Sequence, residues 1–244
     1  MEPEIVLLDR DYSPDVLGER GALDLRNIKG TVWETILSRC KSASLRLYHI
    51  MLQSLDGIER LQATSSLSME WANKISDLDS VFKMVWLTSL LVSDFPRLTN
   101  IEGIGKLKHL KTLHLSGNRG SLHPPLRLVS IRPISELSNL EELEVVNVQL
   151  EDDDITLIAS LPKLRKLFIS YTFDRKQFAF LAKRLNAQLD SPISASIEAN
   201  VPCGTCGQPL SYFIGKRMPA VCRSCDCKKF EKLTGEFKDL IAAS

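Results

Sequence analysis

The sequence predicts an α/β solenoid: a row of short parallel strands on a concave sheet, each followed by a compact helical return, with a small metal-binding module at its C-terminal end. Three observations carry this prediction. An apolar pair split by one residue recurs at a nearly constant step. A second apolar series, at spacing three, follows several of these pairs. Five of the six cysteines crowd into the last 42 of 244 residues.

The pairs are Leu23/Leu25, Leu45/Leu47, Leu67/Met69, Leu90/Val92, Leu113/Leu115, Leu143/Val145 and Leu167/Ile169, at steps of 22, 22, 23, 23, 30 and 24 residues. Two apolar residues flanking one other residue suit a strand with one buried face. The second series reads Leu98, Ile101, Ile104, Leu107, Leu110, then Ile131, Ile134, Leu137, Leu140, then Ile155, Ile158, Leu161, Leu164. Spacing three suits a 3₁₀ return that lays its apolar edge against the same core. One unit cannot bury its own apolar side, but stacked copies can.

LKHLKTLHLSGN (107–118), LSNLEELEVVNV (137–148) and LPKLRKLFIS (161–170) resemble the leucine-rich repeat family, in its short class of about 22 residues. The resemblance covers roughly residues 20–185. It departs at the family's asparagine step, which Asn118 fills but Ile50 and Phe95 do not, so the side-chain ladder along that turn is expected to be incomplete. The unit between Leu113 and Leu143 carries about seven extra residues around 117–126, either a binding loop or drift in a tolerant loop.

The ends are less regular. Residues 1–20, with apolar Ile5 to Leu8, are expected to cap the array, and 21–189 to form the solenoid. Phe178, Leu181 and Leu185 predict a helix closing the stack. Residues 190–202, with Pro192 and Pro202, read as a linker, and 203–244 as a zinc ribbon with a C-terminal helix.

The ribbon rests on Cys203-x2-Cys206-x15-Cys222-x2-Cys225. Two such knuckles supply the tetrahedral sulfur shell of a structural Zn²⁺, with no open position for catalysis. Redox-active or disulfide-bonded cysteines are the alternative. Cys227 is a spare thiol or a substitute fourth ligand. So short a module buries little core, and the ion would supply much of its folding free energy. Loss of a ligand such as Cys206 is therefore expected to unfold only the tail. Phe230, Leu233, Phe237 and Leu240 share one face of the final helix and are expected to pack on the ribbon or the repeat cap.

Composition narrows the function. Lys and Arg number 31 against 30 Asp and Glu, for a net charge of +1, which excludes a basic nucleic-acid coat over the whole chain. The N-terminal segment lacks the basic and apolar regions of a signal peptide, and the longest apolar stretch, 84–92, is half a bilayer span. With cysteines clustered rather than spread, this points to a reducing, cytoplasmic location. No catalytic constellation is legible: GxSxG, HExxH, GxGxxG and phosphate-cradling loops are all missing, and His49, His109, His114 and His123 show no ligand or base spacing. The acidic run 151–154 is read as capping the helical return after it.

A binding surface remains. If the apolar pairs point inward, the alternate residues line the open face of the sheet. These include Arg26, Arg46, Tyr48, Glu70, Leu91, His114, Glu144 and Phe168, along with Ser93 and Ser116; Trp71 sits at the rim, filling the core or touching a partner. Mixed charge with exposed apolar groups suits a folded protein partner. Arg46 is expected to be exposed, so that Arg46→Glu would leave melting nearly unchanged. Lys216 and Arg217 extend the candidate contacts into the ribbon. Between Cys203 and Lys232 the local balance is +4, so nucleic acid is a second candidate partner through phosphate contacts. The repeat array with a short zinc ribbon resembles bacterial immunity proteins of polymorphic toxin systems. That resemblance implies a non-enzymatic chain, monomeric before it binds a toxin domain, with no membrane association.

Overall fold

The computed structural model describes residues 3–18, 21–118 and 124–244. They divide into two compact units, the second made of Asp154–Ser160 and Ser170–Ser244. No helix among the described residues is long and apolar enough to cross a membrane.

The first unit is built on one parallel sheet of eight strands: β1 (Glu4–Leu7), β2 (Ala22–Ile28), β3 (Ser44–Ile50), β4 (Ser66–Glu70), β5 (Ser89–Ser93), β6 (Thr112–Ser116), β8 (Glu142–Val146) and β10 (Lys166–Ile169). The register is the one the repeat dictates. Leu23, Leu45, Leu67, Leu90, Leu113, Leu143 and Leu167 are successive cross-strand partners, and Leu25 through Ile169 form the second row. A slip of one residue would turn each pair out of the core. Nearly all of both rows is fully buried. The expected N-terminal cap strand is β1, paired to β2.

The spacing-three series forms 3₁₀ turns at Glu102–Lys106, Arg132–Glu136 and, in the second unit, Thr156–Ser160; the earlier repeats have similar turns at Ile58–Arg60 and Val81–Lys83. Between β2 and β3 the return is instead a helix, α1 (Gly30–Arg39). The long repeat adds β7 (Leu126–Leu128), which pairs in parallel with β9 (Val148–Leu150). The rest of the expected insertion, 119–123 with His123, lies outside the described residues. Asp154 of the acidic run accepts from the Thr156 amide at 2.8 Å, the capping role expected of it.

Ser93 and Ser116, expected on the open face, are buried. Ser116 donates to the Ser93 hydroxyl at 2.9 Å, and Ser93 donates to the Gly117 carbonyl at 3.4 Å. Small hydroxyls bonded to each other and to backbone are covered where longer side chains would emerge.

The second unit holds α2 (Arg175–Leu185), an antiparallel sheet of β11 (Ser196–Pro202), β12 (Pro209–Phe213) and β13 (Ala220–Cys222), and α3 (Cys227–Ala243). Phe178, Leu181 and Leu185 are the buried stripe of α2, and the Asp174 carboxylate caps it by accepting from the Lys176 amide at 2.7 Å. On α3, Phe237 is buried and Phe230, Leu233 and Leu240 are half-buried. Phe230 meets Phe213 of β12 edge-on at 5.3 Å, so the stripe packs on the ribbon as expected.

Candidate functional site

The open face of the eight-stranded sheet carries a charged and aromatic cluster on β2, β3 and β4. In-register pairing aligns Asp24, Arg46 and Ser68 in one row and Arg26, Tyr48 and Glu70 in the next. Arg26 reaches Asp24 at 2.8 Å. Arg46 donates to Asp24 at 2.7 Å, and to both oxygens of Glu70 at 2.9 and 3.0 Å. Both guanidinium groups lie over the Tyr48 ring, at 5.3 and 4.9 Å.

Asp24 is only 2% exposed, whereas both arginines keep about a third of their side-chain surface in water. Burial pushes its carboxyl upward, but the bonds from Arg26 and Arg46 outweigh that and hold it below the usual carboxylate range. Arg46 is raised above its ordinary value, first by Glu70 and then by Asp24, with burial opposing. The carboxylates thus pin two long cationic side chains in one geometry before anything binds.

At the ends of these strands runs a column of left-handed residues that sequence reading missed. Asn27, His49, Trp71, Asp94 and Asn147 all have φ between 52° and 63°. None is glycine, the residue that visits this region routinely; Asn and Asp tolerate it, and His49 and Trp71 must be held there. A lateral ladder supports them. His49 Nδ1 lies 2.7 Å from Asn27 Oδ1, the His49 ring stacks on Trp71 at 4.0 Å, and Asn118 donates to Asp94 at 3.3 Å. Burial pushes the Asp94 carboxyl up, and the bond from Asn118 partly offsets this. The Trp71 amide and carbonyl are tied to Ser93 and Ile50. At the family's asparagine step only Asn118 takes part, by its bond to Asp94, and the other lateral contacts come from residues one position earlier. Their signal was the recurrence of Asn, His and Asp two residues after the second apolar residue of each pair.

Trp71 does not fill the core: the residue is 37% exposed, and its ring meets Tyr48 edge-on at 5.8 Å. The Asp24 row continues through Leu91, His114 and Glu144 to Phe168, 51% exposed. His114 bonds Glu142 at 3.0 Å and lies 3.8 Å from Glu144, so Glu142, unmarked by the sequence, belongs to this end. Arg26, Arg46, Tyr48, Glu70 and Trp71 are thus one connected cluster, and Leu91, His114, Glu144 and Phe168 its lateral extension. Lys216 and Arg217 belong to the second unit, exposed in the turn between β12 and β13.

In the second unit, the Sγ atoms of Cys203, Cys206, Cys222 and Cys225 lie within 4.8 Å of one another. Cys203 and Cys225 are 3.9 Å apart, and Cys206 and Cys222 are 3.4 Å apart. A tetrahedral shell with Zn–S bonds of about 2.3 Å has sulfurs about 3.8 Å apart, so the cluster fits such an ion. Cys227, exposed at the start of α3, is outside the four. The Cys203 thiol is lowered to about 6, because the Thr205 and Cys206 amides point at its sulfur. Cys225, sharing hydrogen bonds with Cys206 and then Cys222, is pushed up to about 12. One knuckle is already shaped for a thiolate, and the ion would supply the charge that deprotonates the rest.

Parallel strands in repeat register, most of them followed by a 3₁₀ return, define a leucine-rich repeat fold. No family model and no curated protein matches the sequence. Among solved structures, the chain is similar to an internalin C2 from Listeria monocytogenes, with 22% identity and a TM-score of 0.46 over 61% of this chain and 59% of that one. The match thus takes in less than two thirds of that internalin's length.

Proposed function

We propose that this chain is a non-enzymatic protein-binding scaffold whose repeat sheet grips a folded partner, and that the partner is a toxin domain which it inhibits as an immunity protein. The observation that carries the reading is the cluster on β2–β4: Tyr48 and Trp71 with two arginines already held by Asp24 and Glu70. Binding hot spots are enriched in Trp, Tyr and Arg, and residues immobilised beforehand lose little entropy on docking. A cytoplasmic setting suits the free thiols of the second unit, where Cys203, Cys206, Cys222 and Cys225 would hold a structural Zn²⁺.

Nucleic acid is the weaker reading. The +4 balance counts the cysteines as neutral. Four thiolates around a divalent ion carry a net −2, which halves the surplus.

The test is co-expression with a toxin candidate encoded beside the gene, then titration of the purified pair. Rescue of growth and a stable complex that Trp71→Ala weakens at least tenfold are expected. A chain that neither rescues nor binds overturns the immunity role. Binding to a DNA or RNA duplex that collapses with added salt would favour the second reading.

A further inference from the structure

We infer that α2, the three-stranded sheet and α3 form one metal-linked folding unit with Arg175 at its centre, so that losing the metal releases α2 as well as α3. This rests on the metal reading of the four cysteines and widens its consequence beyond the tail.

α3 begins poorly for a helix. Asp226 makes no side-chain cap bond, the first turn holds no acid, and Lys228 and Lys229 stand where the helix dipole disfavours cations. Gly235 weakens its middle. A helix of this length with such a start is marginal alone. The second cysteine knuckle holds that start: the Asp226 amide donates to the Cys222 carbonyl at 2.9 Å, and the Phe230 amide to Asp226 at 2.9 Å. The turn bearing Cys222 and Cys225 therefore runs directly into the first turn of α3, and a net-negative thiolate centre would sit at the positive end of its dipole.

Arg175 then fastens α3 to α2. It is the first residue of α2, and its side chain is 12% exposed. Nη2 donates to the Leu233 carbonyl at 2.6 Å, and Nη1 lies 3.6 Å from Glu236. The guanidinium covers Phe237 of α3 at 5.4 Å and Phe213 of β12 at 5.9 Å. Its Nε is buried without a hydrogen-bond partner. Such a desolvated cation is tolerated only while its neighbours stay packed. The turn after β12 presses on the same residue. Gly215 has φ +113°, and a Cβ there would come within 2.8 Å of the Arg175 Cβ. Next to it the Lys216 amide donates to the Phe173 carbonyl at 2.7 Å. At the other end, Lys183 Nζ donates to the Ser244 carbonyl at 2.6 Å. If α3 leaves, Arg175 loses its acceptor, its counter-ion and one of its two rings together, and the first turn of α2 opens to reach water.

Amide hydrogen exchange on the full-length protein, as purified and after chelation under reducing conditions, tests this. Chelation is expected to raise exchange at least tenfold in both α2 and α3 and to leave β6 unchanged. Opening of α3 with α2 still protected would overturn the inference. Arg175→Met, outside the ligand set, is expected to weaken zinc affinity at least tenfold against a chromophoric chelator, with Arg175→Lys in between; unchanged affinity would also overturn it. If metal analysis of the wild type finds no ion, the cysteine reading fails by itself. Arg175→Met then decides the coupling alone, since exchange across α3 must still rise.

Discussion

His49 and Trp71 lie face to face with ring centroids 4.0 Å apart, each on a left-handed backbone at the end of its strand. The pair sets a large aromatic ring at the rim of the repeat sheet, beside Tyr48 and the arginines beneath it. A non-glycine residue in this conformation costs about 1–2 kcal/mol, so the neighbouring strands must hold it there.

Trp71→Asn separates the role of that ring from its backbone. Asn occupies the same column at 27 and 147, and it tolerates the conformation. Thermal denaturation should show a stability change within about 1 kcal/mol, with partner affinity reduced. A larger loss would make the indole a structural element.

Asp24→Asn should destabilise the first unit by about 2 kcal/mol, since a buried carboxylate bonded to two guanidiniums is replaced by a neutral amide. The sign of the pH effect follows from its depressed pKa. The carboxylate's contribution is complete above the ordinary value of 3.8 and is lost as pH falls below it. Wild-type denaturation midpoints should therefore drop in acid more steeply than those of Asp24→Asn. Parallel curves would place the acid sensitivity elsewhere.

Arg46→Glu is no longer a neutral surface change. With Arg46 bonded to Asp24 and Glu70, reversal puts three carboxylates around one point with Arg26 alone to oppose them. Melting should fall by several degrees, and Arg46→Met should fall less. Equal melting of Arg46→Glu and wild type would mean that the two bonds contribute nothing.

Gly117→Ala tests the ladder at the long repeat. A Cβ at 117 would stand 2.6 Å from the Asn147 carbonyl oxygen and 2.7 Å from the Leu126 amide nitrogen, both backbone atoms. The clash should cost about 1–3 kcal/mol, read by chemical denaturation. Wild-type stability would show that the strands there part easily.

Zinc retention should weaken as pH falls, because protons compete for the thiolates. In metal-free, reduced protein near pH 7, iodoacetamide should modify Cys203, held near 6, well before Cys225, held near 12. Mass spectrometry of the peptides decides it, and the reverse order would remove the amide-stabilised thiolate.

The strand register and the cysteine cluster were legible in the linear chain. Leu45, Leu67, Leu90 and Leu113 pair as their spacing requires, and the two knuckles meet because each needs only its own tight turn and a strand pair between them. Such features repeat or close over short separations, so residue spacing encodes them directly. The burial of Asp24, the left-handed column through Trp71 and the seat of Arg175 among α3 and β12 were not legible. Each depends on which neighbouring side chain an individual group reaches, in a direction set by packing rather than by the repeat. The chain pattern specified which residues face inward; assembly chose which outward groups find partners, because hydrogen bonds and desolvation act through distances that exist only after the strands have stacked.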